Sequence, residues 1–92
     1  MFLHVKFESQ LRRLAGFDGM SLDLQASCSL EQIVRQVAQE GTEPLRNALL
    51  DEQQSLRASI LIFLDNELVS HGQLLVLKDG SELIVTTLIS DG

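Results

Sequence analysis

The side chains equipped for covalent or metal chemistry are few and scattered. Cys28 is the only thiol, and the histidines are His4 and His71. A hydrolase needs a nucleophile, a base beside it and a group that orients the base. Two histidines far apart in the chain and one cysteine do not supply that set. A metal site wants His and Cys clustered at ligand spacing, and no such spacing occurs. The run Asp65-Asn66-Glu67 is too short for a calcium loop. The stretch "GFDG" (16–19) lacks the lysine and following helix of a phosphate loop. Asp51 and Glu52 read as a solvated helix end, and Arg12 and Arg13 as surface cations able to meet a partner's acid or phosphate. Cys28 lies just ahead of a helix, where an exposed thiol acquires a lowered pKa, but packing as a small apolar group is the reading to expect. What remains is the final stretch "TTLISDG", whose last residue, Gly92, offers a backbone carboxylate.

Composition narrows the partners. Ninety-two residues, 45% of them apolar, make one domain with one core. Stability of about 5–10 kcal/mol is expected for so small a core. All four aromatics are Phe, so the core must be aliphatic. The net charge is −6, with nine of the thirteen acids and three of the seven bases in residues 40–92. That balance repels nucleic acid and anionic lipid and favours a basic protein groove. The opening alternates and carries charge, unlike a signal peptide. No apolar run approaches the ~18 residues of a membrane span. One cysteine allows no intrachain disulfide, which suits a reducing, cytoplasmic location.

The elements that must position these groups follow from periodicity. "FLHVKFE" alternates, with Leu3, Val5 and Phe7 inward and His4, Lys6 and Glu8 outward: a half-buried strand. "SQLRRLAG" reads as one helical turn anchored by Leu11 and Leu14 and closed by Gly16. "MSLDLQ" alternates again and completes a wide hairpin, with Met20, Leu22 and Leu24 inward. "SLEQIVRQVAQEG" is a helix with Ser29 and Gln32 as a capping box. Leu30, Ile33, Val34 and Val37 form its stripe, and Gly41 is its stop. "EPLRNALLDEQQ" predicts a short second helix with Pro44 in its first turn, followed by a loose "QQS" loop. "ILIFLDNELV" gives a strand, a turn at Asp65-Asn66 and a return strand. Ile60, Ile62 and Leu64 face inward. "LKDGSELIVTTL" turns at Asp79-Gly80 into a last strand, with Leu83 and Val85 inward and Ile84 and Thr86 outward. The result is an α+β domain with one helix across a mixed sheet, the first and last strands parallel at its centre. Leu61 and Phe63 then lie on a second apolar face, a docking patch unless something covers it.

The order and spacing of these pieces resemble the MoaD/ThiS family of ubiquitin-like β-grasp sulfur carriers over nearly the whole chain. "VKFESQLRRLAG" resembles the family's opening strand and F-A-x-L-R-E-L-A-G turn. "SLEQIVRQV" resembles its capped helix and "LRNALLD" the short helix after it. "ILIFLDNELV" resembles its V-N-G hairpin and "LKDGSELIV" its L-x-D-G-D-E-V segment. The resemblance implies a β-grasp fold: a mixed four- to five-stranded sheet, one main helix, a short second helix, and a flexible tail over about residues 88–92. It implies that the Gly92 carboxylate is adenylated by an activating enzyme and converted to a thiocarboxylate. The carrier then passes sulfur to the substrate of a partner synthase subunit, which in this family is the molybdopterin precursor, the thiamine thiazole or a cysteine precursor, the molybdopterin synthase small subunit being the pattern expected here. It implies no bound cofactor and no metal, the ATP being used by the activating partner.

Two departures stand out. The family ends Gly-Gly, whereas Asp91 precedes Gly92 here, so the tail Ser90-Asp91-Gly92 brings a charged side chain beside the reacting carboxylate. The family's three apolar docking positions fall on Glu8, Leu68 and Thr86, of which only Leu68 is apolar. Leu61, Phe63 and Ile84, with Leu68 and Thr86, are therefore the expected partner-binding patch. The alternative is a ubiquitin-like binding or regulatory module that keeps the fold and has lost carrier chemistry.

Overall fold

The computed structural model describes residues 1–70 and 72–88. β1 (Phe2–Phe7) alternates as its sequence requires, with Leu3, Val5 and Phe7 buried and the residues between them exposed. α1 (Gln10–Ala15) is a short helix with Leu11 and Ala15 buried, ended by Gly16 at φ 79°, a left-handed position suited to glycine. β2 (Gly19–Asp23) returns antiparallel to β1. Gly19 faces Lys6 there, and a Cβ on it would fall on the Val5 carbonyl oxygen. The hairpin thus needs a residue without a side chain at its first pair.

β3 (Ser27–Ser29) leads directly into α2 (Leu30–Glu40). The capping box is complete. The Gln32 N–H donates to Ser29 Oγ (3.2 Å), and the Ser29 N–H donates to Gln32 Oε1 (2.8 Å). Such a cap contributes about 1 kcal/mol. Gly41 follows with φ −91°, not in the left-handed geometry its position suggested. Its role is steric: a Cβ would lie 2.6 Å from Leu45 Cδ2 and 3.1 Å from the Val37 carbonyl oxygen. α3 (Glu43–Leu49) is capped by Thr42, whose Oγ1 accepts from the Leu45 N–H (3.2 Å) and donates to the Leu14 carbonyl (2.7 Å). One hydroxyl thereby ties the start of α3 to α1.

The segment expected to be a loose loop is organised. Asp51 Oδ1 accepts from the N–H groups of Gln53 and Ser55, and Leu50 bridges to Leu56. Asp51 is therefore a turn-former and not merely a solvated acid, because a short carboxylate can reach backbone donors a few residues on.

β4 (Ile60–Leu64) and β5 (Glu67–Leu68) form a hairpin whose two loop residues, Asp65 and Asn66, both have positive φ (48° and 73°). That is the mirror-image turn favoured by sheet twist. β6 (Leu74–Val76) pairs antiparallel with β3 in a separate two-stranded ribbon. Neither ribbon strand is evident in the sequence: each has three residues, and "LLVL" does not alternate. β7 (Ser81–Thr87) completes the main sheet.

The main sheet has five strands in the order β2-β1-β7-β4-β5, with β1 and β7 parallel and the other pairs antiparallel. Both halves of the chain therefore meet at the centre. The turn before β7 locks onto β1: Asp79 Oδ1 accepts from the Phe2 N–H, and the Gly80 N–H donates to the Phe2 carbonyl. Leu30, Ile33, Val34 and Val37 of α2 and Leu45 and Leu49 of α3 join Leu3, Val5, Ile62, Leu83 and Val85 in one buried cluster. The helices cover one face of the sheet and leave the other open.

Candidate functional site

The open face follows from strand register. Cross-strand partners put Lys6, Ile84, Phe63 and Leu68 in one row across β1, β7, β4 and β5. Thr86 lies opposite Leu61 in the next row, with Glu8 continuing β1 beside it. On the other side of the first row, Ser21, His4 and Glu82 form a polar row. All five residues of the expected patch thus lie on adjacent strands and one face. Leu61, Phe63, Ile84 and Thr86 are half-buried by each other, and Leu68, at the sheet's edge, is 59% exposed.

The face is divided chemically. Its β4–β5 side is apolar and its β1–β2 side is polar. Lys6 Nζ lies 3.0 Å from Glu82 Oε2 at the boundary, and His4 Nδ1 lies 3.0 Å from Ser21 Oγ. The ion pair is solvent-exposed and contributes at most about 1 kcal/mol. Its effect is mainly to hold both long side chains alongside Ile84. Of the three positions singled out by the sequence resemblance, Glu8 and Thr86 are neighbours, and Leu68 sits beyond Phe63 at the edge. A partner meeting the apolar side is therefore offered Leu61, Phe63 and Leu68 together. Phe2, 54% exposed on β1, is an additional apolar residue on this face; the alternation of β1 points it outward.

β7 runs out of the sheet toward the chain's end. Its pairing with β4 reaches Thr87, opposite Ile60. One further bond, from the Leu88 N–H to the Ser59 carbonyl (2.6 Å), holds the next residue. Leu88 is exposed. Ser90, Asp91 and Gly92 lie outside the described residues, as does His71.

The other reactive groups are placed clearly. Cys28 is buried in β3 opposite Leu75, and burial raises its pKa. The lowered pKa that a helix start can produce is not realised, because the side chain packs into the core and its thiolate would lose solvation. Arg12 Nε lies 3.9 Å from Asp18 Oδ1, both exposed. Among the described residues no group of three or more His, Cys, Asp or Glu is placed to hold a metal ion. No described helix is long and apolar enough to cross a membrane.

A five-stranded mixed sheet with parallel first and last strands, grasping a capped helix, defines the ubiquitin-like β-grasp class. Three solved structures show how far the likeness extends. SAMP1 from Haloferax volcanii superposes with a TM-score of 0.85 at 16% identity, covering 100% of both chains. A putative molybdopterin converting factor, subunit 1, from Pyrococcus furiosus gives 0.73 at 22% identity, covering 97% of this chain and 99% of that one. The complex of subunits 1 and 2 of the molybdopterin-converting factor from Helicobacter pylori contains a chain that gives 0.64 at 20% identity, with 100% of both covered. No family model matches the sequence. No curated protein matches it either.

Proposed function

We propose that this protein is a sulfur carrier whose working group is the carboxylate of Gly92. The observation that carries this reading is the end-to-end likeness to SAMP1, joined to a sequence that runs in step with the MoaD/ThiS pattern from Asp79 to Gly92. In the proposed cycle an activating enzyme brings ATP to the tail. The carboxylate attacks the α-phosphate, pyrophosphate leaves, and an acyl-adenylate forms. A donor at the hydrosulfide oxidation level then displaces AMP and leaves the thiocarboxylate, which passes its sulfur to a substrate held by a synthase subunit and, with water, returns to the carboxylate. Glycine suits this task because it has no Cβ, so its carbonyl carbon is open to attack and its backbone fits a narrow channel. The partners supply the catalytic side chains. The outer face around Leu61, Phe63, Leu68, Ile84 and Thr86 is the proposed docking surface. The existence of a subunit 1–subunit 2 complex for the Helicobacter pylori protein supports a protein partner.

Asp91 favours a second reading, a β-grasp binding module without carrier chemistry. Its carboxylate sits one residue from the reacting group, where repulsion at ~6 Å and an effective dielectric of ~40 amounts to about 1 kcal/mol. Its side chain also adds bulk. ATP–pyrophosphate exchange by the activating enzyme separates the two readings. The carrier reading expects exchange that depends on the native chain and disappears when Gly92 is deleted. Exchange seen only with Asp91→Gly would support the binding module.

A further inference from the structure

The helical side of the molecule carries a second surface with its own chemistry. A groove of about 510 Å³ runs between α2 and α3, lined by Arg35, Ala38, Gln39, Arg46, Leu50 and Gln54. Ala38 and Leu50 are buried and form an apolar floor. Arg35 and Gln39 stand one helical turn apart on one wall, Arg46 rises from the other, and Gln54 closes the end.

Both arginines lack a carboxylate partner among the described residues, although the chain has nearly twice as many acids as bases. The acids that could serve them are used elsewhere or stand apart. Glu31 sits four residues before Arg35, at helical pairing distance, but its Oε2 accepts from the Gly72 N–H (2.9 Å). Asp51 is held by the N–H groups of Gln53 and Ser55. Glu43, three residues ahead of Arg46, makes no ion pair with it. By contrast, Lys6 has Glu82, and Arg57 Nε donates to the Asn47 carbonyl. Two guanidinium groups without a carboxylate partner among the described residues therefore share one groove in an otherwise acidic protein.

We infer that this groove docks an acidic, partly apolar peptide segment of a protein partner. Guanidinium groups present paired donors that match carboxylates in a plane, the glutamine amides can bond a peptide backbone, and the floor accepts an aliphatic side chain. A free inorganic anion could use only the charges, whereas a peptide uses charges and floor together. Charge elsewhere on the chain is screened over about 8 Å at physiological salt, so the contact rests on the charge-assisted bonds that the two guanidinium groups themselves can make. The groove lies on the side away from the open sheet face, so a partner can occupy it while the sheet is engaged. This inference does not depend on the carrier reading.

The test is a ¹⁵N-resolved titration of the full chain with an acetylated, amidated peptide, Glu-Leu-Glu-Glu-Leu-Glu. The expected result is saturable shifts confined to residues 35–39, 46–50 and 54. The R35Q/R46Q variant, altered only at exposed side chains, should keep the native spectrum and bind about tenfold more weakly. Four outcomes overturn the proposal. They are no shifts at millimolar peptide, shifts centred on the open sheet face, equal binding by R35Q/R46Q, and equivalent shifts from inorganic phosphate, which would mark a small-anion site instead.

Discussion

The two faces of β7 are built from alternate residues of one strand, yet they do different work. Ser81, Leu83 and Val85 point inward and are almost fully buried; Glu82, Ile84 and Thr86 point outward and stay half-exposed. Leu83 and Val85 of the inner set join the buried residues of the helices and the inner side chains of β1 and β4 in one core. The outer set meets only its own sheet neighbours. Because side chains alternate with a period of two, one strand can carry the core and a docking surface with no residue shared. Under the proposed carrier reading, that separation would let a docking face vary while the fold is kept, and Glu8 and Thr86 lie on the outer face, where such variation leaves the core untouched.

Substitutions on the two faces should separate cleanly. Leu83→Ala removes a fully buried side chain from the sheet's centre and should cost about 2–5 kcal/mol in urea unfolding; a loss under 1 kcal/mol would mean that the inner face is not the main support. Cys28 tests the inward side of the ribbon. Its pKa is raised by burial, so the folded state resists losing the proton. Stability is thus unaffected by this group below the ordinary thiol value of 9.0 and falls as pH rises past it. In native protein near neutral pH the thiol should react with iodoacetamide much more slowly than in urea, and equal rates would contradict its burial.

The outer face should answer in binding instead. Phe63→Ala and Leu68→Ala should weaken partner docking, each by about tenfold or more if they lie at the centre of the contact. Leu68→Ala should leave unfolding within about 0.5 kcal/mol of the native chain. Normal docking by both variants would remove the apolar side of the face from the account. The smallest effect belongs to Lys6→Gln, which breaks an exposed ion pair. It should shift stability by less than about 1 kcal/mol and alter docking mainly at low salt.

Much of this was legible because local signals agreed with the global fold. The alternation of residues 2–8 and the Ser29–Gln32 capping box give β1 and α2 directly, and Asp65-Asn66 gives the hairpin turn. The β3–β6 ribbon was not legible: its strands are too short for a period to show, and their pairing joins residues far apart in sequence. Gly41 stops α2 as its position predicts, but its close approach to Leu45 on the next helix has no local signal. Asp51's turn likewise depends on a bond geometry that its neighbours in sequence do not announce. For the candidate site, outward residues follow from alternation alone. Their arrangement into rows needed the long-range insertion of β7 between β1 and β4. The Arg35–Arg46 groove had no sequence signal, since it exists only where α2 packs on α3 and Glu31 turns toward Gly72.

The central claim concerns Gly92, and intact mass spectrometry addresses it most directly. The chain is incubated with a candidate activating enzyme, ATP and a sulfur donor, then weighed whole and fragmented. The account predicts a gain equal to the replacement of one oxygen by sulfur, located on Gly92 and absent without ATP. An unchanged mass with an activating enzyme shown to be competent on its own carrier would contradict it.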